Sequence, residues 1–237
     1  ILASVAENNP GNTYHVPLNP SAQKQFGNAN MSGFSCCNGT ALESSTKLQD
    51  SIYFRGADNR TLYVNLFVPS TLNWKERDLV VKQRTDFPNA DTTQLVLKGG
   101  GRFDIKIRVP GWATRGFFVK INGRKRSVKA VPGTYLTLRR NWRDNDTIEL
   151  RMPFPFYLDP VVDQPNVASI FYGPVLLAAE ESGPRTDWHP VTLDAGDIGK
   201  SITGDPGTLR FSVGGIAFKP FYETYGRYSV YLNVTLK

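Results

Sequence analysis

The stretch Phe103-Asp104-Ile105-Lys106-Ile107-Arg108-Val109 decides the fold. Apolar and charged residues alternate through it without a fault. Successive side chains of a strand point to opposite faces, so this period of two predicts a half-buried strand with a charged outer face. Working outward, the same period recurs. Leu62, Val64, Leu66 and Val68 alternate with Tyr63, Asn65 and Phe67. Phe117 to Ile121 runs into Asn122-Gly123, the dipeptide of a tight hairpin, and a basic return strand follows. Pro132-Gly133 marks another turn before Tyr135 to Leu138, and Thr147 to Met152 alternates again. Ser169 to Ala178 reads as one nearly continuous apolar strand, buried on both sides apart from Gly173-Pro174. At the terminus, Tyr228, Val230, Leu232, Val234 and Leu236 share a face. The sum is about nine or ten short strands punctuated by Gly, Pro and Asn, a mainly β chain of antiparallel β-sandwich or jelly-roll type. Gly183 to Gly207 reads as a long surface connection.

The front of the chain has a different rhythm. Thr40 and Glu43 stand at capping-box spacing, and Asn38 is another good N-cap. Ala41, Ser45, Leu48 and Ile52 then fall on one helical face. A short helix is expected there, and it reads as the last piece of a preceding helical domain. The expected division is 1–55 for the end of that domain and 56–237 for the sandwich region, with a further subdivision near 155–185.

Composition excludes several classes. The 237 residues are 40% apolar and 21% charged, which rules out a disordered chain and a coiled coil. The longest apolar stretch, Ala168 to Ala179, contains Ser169 and Gly173-Pro174 and falls short of the ~20 residues of a membrane span. No membrane partner is expected. The first thirty residues show no signal-peptide pattern, and Ile1 reads as an internal position of a longer parent or a processing site. The net charge of +7 and the pI near 9.4 permit acidic partners such as nucleic acid or uronic-acid glycans. The basic cluster Arg124, Lys125, Arg126, Lys129, Arg139, Arg140 and Arg143 reads as solvated strand ends and turns. No nucleic-acid signature surrounds it, so nucleic acid is not an expected partner.

Cys36 and Cys37 are the only cysteines. Adjacent residues rarely bridge each other, because the small ring strains the peptide between them. Three readings stay open: buried inert thiols, half of a metal site, or a reactive nucleophile. A position just before a helix N-terminus favours anions and should lower a thiol pKa. Two thiolates would also provide half of a tetrahedral zinc site. His15 is a candidate third ligand, although a lone upstream His is more often an ordinary loop residue.

The run Gly33-Phe34-Ser35-Cys36-Cys37-Asn38-Gly39-Thr40-Ala41-Leu42-Glu43, with Lys47 and Asp50-Ser51-Ile52-Tyr53-Phe54, resembles the end of the helical barrel in the β-L-arabinofuranosidase family, glycoside hydrolase family 127 and its close relatives. The similarity continues through Leu62 to Ser70, Arg108-Val109-Pro110-Gly111-Trp112 and Val119-Lys120-Ile121-Asn122-Gly123. It includes Pro132 to Leu136, Arg140-Asn141-Trp142, Tyr172 to Ala178, Pro220-Phe221-Tyr222 and Arg227 to Tyr231.

That resemblance implies a C-terminal part of a protein built from an (α/α)₆ barrel followed by β-sandwich domains. It also implies a zinc-dependent retaining glycosidase. Cys36 would be both nucleophile and zinc ligand, Cys37 a zinc ligand, and the reaction would pass through a cysteine thioglycosyl intermediate. The family's Glu-x-Cys motif, which supplies the other zinc ligands, and its acid/base glutamate are missing here: residues 1–35 hold one Glu, Glu7, and no Cys. The isolated chain is therefore expected to be inactive. Expected partners are a carbohydrate substrate of plant-type glycans, the upstream barrel domain of the same parent and, as one option, a second copy in a homodimer. The alternative is a non-catalytic carbohydrate-binding or structural sandwich, for which Trp74, Trp112, Trp142 and Trp188 are the candidate stacking platforms. Plant-type substrates, together with sequons at Asn30, Asn38, Asn59, Asn145 and Asn233, favour an extracellular or periplasmic location.

Overall fold

A computed structural model describes every residue except Ile1, Asn28, Met31, Ser32, Phe34 and Leu48. Phe34 and Leu48, and the Ser45 side chain, which entered the sequence reading, lie outside what is described. The chain is mainly β, with a single α-helix among the described residues. It divides into two compact units, 47–155 and 1–46 with 156–237. The sequence reading divided the chain at 55 and again near 155–185; the compact units part after residues 46 and 155.

Unit 47–155 is a two-sheet sandwich. Arg124–Arg126, Phe118–Ile121, Thr147–Arg151, Thr92–Lys98, Leu79–Thr85 and Ser70–Trp74 follow one another in a six-stranded sheet. Tyr135–Trp142, Gly101–Arg108, Thr61–Val64 and Tyr53–Arg55 form a four-stranded sheet. All pairings are antiparallel except Thr61–Val64 beside Gly101–Arg108, which run parallel. The inward residues of both sheets, among them Leu62, Ile105, Ile107, Leu79, Leu95, Leu97, Ile148 and Leu150, form one apolar core. Asp104, Lys106 and Arg108 stay on the wetter side of their strand, as the alternation requires. At the hairpin, Asn122 and Gly123 have φ of 51° and 72°, the positive pair that a two-residue turn needs.

The second unit is built on a ten-stranded sheet. Its path runs Pro190–Leu193, Leu232–Leu236, Gln164–Tyr172, Val175–Glu180, Ile216–Pro220, Arg210–Val213 and Ile202–Asp205. The front of the chain joins it: Ala22–Gln23 pairs with Arg227–Ser229, which pairs with Val175–Glu180. Lys24 anchors that junction. Its ammonium donates to the carbonyls of Phe221 and Thr224 at 3.0 and 2.8 Å and lies 4.3 Å from the centre of the Phe221 ring.

Several local expectations change. Ser169 to Ala178 is not one strand but a hairpin, with Phe171 opposite Leu176 and Tyr172 opposite Val175 around Gly173-Pro174. Gly173 has a φ of 54°, a conformation that reverses the chain and that glycine adopts without strain. The alternation begun at Leu62 and Val64 slips after Asn65, so Phe67 is buried where Leu66 and Val68 were expected. The backbone bends there, since the Asn65 and Leu66 amides both donate to Ile52. Inside Gly183 to Gly207, Pro190–Leu193 is a strand pairing in parallel with Leu232–Leu236. Strand count is higher than expected, twenty-two among the described residues, because many pairings are only two to four residues long. Leu236, at the end of its apolar face, is exposed.

Candidate functional site

The helix spans Cys36–Thr46, so the two cysteines are its first two residues and do not precede it. Ser35, not Asn38 or Thr40, stands immediately before the helix, at the cap position. Asn38, three positions on, accepts from the Ser35 backbone N–H at 2.8 Å and from its hydroxyl at 2.7 Å, the reciprocal half of a capping box. Thr40 donates instead to the Cys36 carbonyl at 3.1 Å. The expected helical face reaching Ile52 is cut short at Thr46, and Ile52 is buried in the turn region beyond. Asn38 also donates to Asn12 at 2.7 Å. It thereby ties the helix start to the strand Asn12–Thr13, which pairs with Phe26–Gly27.

Cys36 is exposed and Cys37 half-buried, and both thiols are free. The reading of buried inert thiols is thereby overturned: a turn of helix with no buried described residue carries them at the surface. Their sulfurs are 3.9 Å apart. Two Zn–S bonds of about 2.3 Å at a tetrahedral angle set their sulfurs about 3.8 Å apart. The pair therefore fits two corners of a zinc tetrahedron with almost no adjustment. Among the described residues no group of three or more His, Cys, Asp or Glu is placed to hold a metal. His15 thus does not join the thiols as a third ligand; its ring meets Tyr14 edge-on, with centroids 4.4 Å apart.

The electrostatics at the helix start run against expectation. Burial pushes the Cys37 thiol up, and the hydrogen bond and charge of Cys36 push the same way. A helix N-terminus contributes only about 0.3–1 kcal/mol at an exposed site, and two adjacent thiolates oppose each other. Tyr14 completes the cluster. The charge of Cys36, then a hydrogen bond to it, then the charge of Cys37 hold the Tyr14 hydroxyl protonated above its ordinary range. Sequence reasoning missed Tyr14 because no local spacing connects it to Cys36; the strand pairing and the Asn12–Asn38 bond bring it there.

Of the four tryptophans, two are buried and two, Trp112 and Trp188, are half-buried. Trp74 and Trp142 are buried in the sandwich core, and Trp142 donates to the Phe103 carbonyl at 3.0 Å. Trp112 stacks on Phe87 with centroids 6.2 Å apart, and Trp188 packs against Tyr231.

With this geometry in view, residues 61–154 match the family model "Beta-L-arabinofuranosidase, GH127 middle domain". That part of the chain is similar to the GH127 middle domain. The matched residues fall within the sandwich unit 47–155. A solved structure described as a glycoside hydrolase superposes on 99% of the chain with a TM-score of 0.75 at 21% identity. A GH127 beta-L-arabinofuranosidase from Geobacillus Stearothermophilus T6 does so with a TM-score of 0.73 at 19% identity, also over 99% of the chain. A GH127 beta-arabinofuranosidase gives 0.73 at 20% over the same share. These likenesses show a shared fold. The chain spans less than half the length of these structures, 46%, 44% and 44%. No curated protein matches it.

Proposed function

We propose that this chain carries the cysteine half of a zinc-dependent retaining glycoside hydrolase centre that releases β-L-arabinofuranose, or a related sugar, from plant-type glycans. The observation that carries the reading is the pair of accessible sulfurs 3.9 Å apart at the start of a helix. The GH127 middle-domain match and the fold shared with GH127 structures support it. The helix also supports a further domain: none of its described residues is buried, and Leu42 is 60% exposed. Eleven residues make a marginal helix alone, so a covering layer such as the upstream (α/α)₆ barrel accounts for its stability.

In this reading Cys36 and Cys37 hold zinc together with ligands from that upstream domain. Bound zinc would supply a positive charge that keeps the thiols deprotonated, reversing the upward pressure on Cys37. Cys36 Sγ forms a bond to the anomeric carbon as the glycosidic C–O bond breaks, and the leaving oxygen takes a proton from the upstream glutamate. Water, giving its proton to that same glutamate, then displaces the Cys36 thiolate and returns the sugar with retained configuration. Ordinary retaining enzymes use two carboxyl groups about 5–5.5 Å apart, and the thiolate replaces one of them. Tyr14, hydrogen-bonded to Cys36, orients the thiol bearing this load, and Asn38 holds the helix start in place.

The test uses the parent protein with its upstream domain. Rapid quenching with an aryl β-L-arabinofuranoside, followed by peptide mapping, should find the sugar mass on Cys36, and Cys37→Ser should lose its zinc. A sugar mass on an Asp or Glu sinks the mechanism. The 237-residue chain alone should neither turn over that substrate nor hold zinc tightly.

A further inference from the structure

The outer face of the six-stranded sheet carries a groove of about 1170 Å³. Register sets Lys125, Lys120, Glu149, Gln94 and Arg84 opposite one another on five successive strands. They line the groove as a single row, about 19 Å long at ordinary strand spacing. In the next row along the strands Phe118 stands opposite Arg151. Phe118 is 55% exposed, an apolar ring kept at the surface.

Charge along this lining is uneven. Lys and Arg outnumber Asp and Glu five to two. Glu149 partly offsets Lys120 at 3.7 Å, and Asp91 engages Arg151 at 3.0 Å. Arg84 and Lys125, at the two ends of the row, enter no ion pair among the described residues. A cationic groove of this kind raises the local concentration of anions.

We infer that this groove binds an acidic oligosaccharide, a chain of sugars bearing carboxylates such as uronic acids. Arg84 and Lys125 meet carboxylates at either end of the row. Between them the Gln94 amide and the Glu149 carboxylate can donate to and accept from sugar hydroxyls, which need both. The Phe118 ring offers a face to the apolar side of a pyranose. A nucleic acid fits less well: Glu149 in mid-row and Asp86 at the wall repel a continuous line of phosphates, and strand binding calls for a series of stacking aromatics. The site lies in the sandwich unit and does not depend on the thiol pair.

The experiment titrates the full chain with an oligogalacturonide at low salt by calorimetry, with a neutral arabino-oligosaccharide and a single-stranded DNA oligomer as comparisons. Binding of the oligogalacturonide alone is expected. Arg84→Glu with Lys125→Glu should weaken it by on the order of tenfold or more, as removal of steering charges does. Phe118→Ala should weaken it several-fold even at higher salt. Arg102→Glu with Arg139→Glu makes the same change of net charge on the four-stranded sheet and should leave affinity within about twofold. Cys36→Ser with Cys37→Ser should leave it unchanged, whatever becomes of the glycosidase reading. All these positions except Cys37 are exposed, and melting curves verify that the variants fold. Absence of oligogalacturonide binding, equal loss in the Arg102 and Arg139 control, or tighter binding of DNA overturns the inference.

Discussion

Residues 47–155 and the unit of 1–46 with 156–237 are both β structures, yet different contacts hold them. The first is continuous in sequence, and its two sheets close over side chains such as Leu79, Leu97, Ile105 and Ile107 with no exposed area. The second is closed by chain segments about two hundred positions apart, and much of that closure is polar. Ser229 accepts from the Ser21 amide at 3.0 Å and donates to Glu181 at 2.5 Å. Tyr228 donates to the Pro17 carbonyl at 2.7 Å, beside the buried Lys24. A contiguous sandwich writes its core into a period of two. A unit closed by its two ends depends on single polar groups that no periodicity displays.

The largest effect is expected in the sandwich. Ile107→Ala should destabilise it by about 2–5 kcal/mol, the range for emptying a fully buried aliphatic site, read as a lower urea midpoint. The second unit should respond most to Lys24. Lys24→Ala leaves the carbonyls of Phe221 and Thr224 without their donor, and buried unsatisfied groups cost about 1–3 kcal/mol each. Lys24→Met loses the same hydrogen bonds but keeps the packing and removes a buried charge, so it should lose less than Lys24→Ala. If the two variants are equally damaged, the aromatic packing around the Lys24 stem is not what matters.

Alkaline pH separates the units further. Burial, aided by the charge of Lys219, lowers Lys24 from 10.5 to about 8. The unfolded chain then binds the extra proton between those values, so this group makes stability rise as pH climbs from about 8 towards 10.5. Burial raises Tyr228 from 10.0 to about 12, and its contribution is full below pH 10 and lost as pH passes through 12. Melting temperatures across this range should therefore show a rise and then a fall, and Lys24→Met should abolish only the rise. A rise that persists in Lys24→Met assigns it to another group.

Smaller effects belong to the site. Asn38→Ala removes the bonds to Ser35 and Asn12 and should cost about 1 kcal/mol, the usual worth of a cap, measured by thermal melting. Cys36→Ser should change stability by no more than about 0.5 kcal/mol, because the residue is exposed and serine keeps a polar group beside Tyr14. A large loss there would make the thiol part of the scaffold.

Much of the sandwich could be read before any coordinates. Phe103 to Val109 alternates because one face is buried and the other wet, and Asn122-Gly123 turns because its two residues tolerate positive φ. Reading failed where the same local signal serves two structures. Ser169 to Ala178 is apolar whether it is one buried strand or two strands folded together, and only the pairing of Tyr172 with Val175 decides. Pro190–Leu193 is too short and too polar in its surroundings to announce a parallel strand. At the candidate site, the adjacent thiols were visible in the sequence, whereas Tyr14 and the raised pKa of Cys37 were not. Both depend on which groups lie nearby, and proximity across a fold leaves no mark on spacing.

Sequence alone determined the β class, the tight hairpin and the presence of two neighbouring thiols near a helix start, because these rest on side-chain alternation, turn chemistry and residue identity. Tertiary structure decided that the front of the chain joins the C-terminal sheet, that Trp74 and Trp142 are packed away and that Phe118 and a row of mainly basic and polar side chains line one groove. Pairing partners and exposure follow from long-range hydrogen bonding and burial, which local pattern cannot choose among.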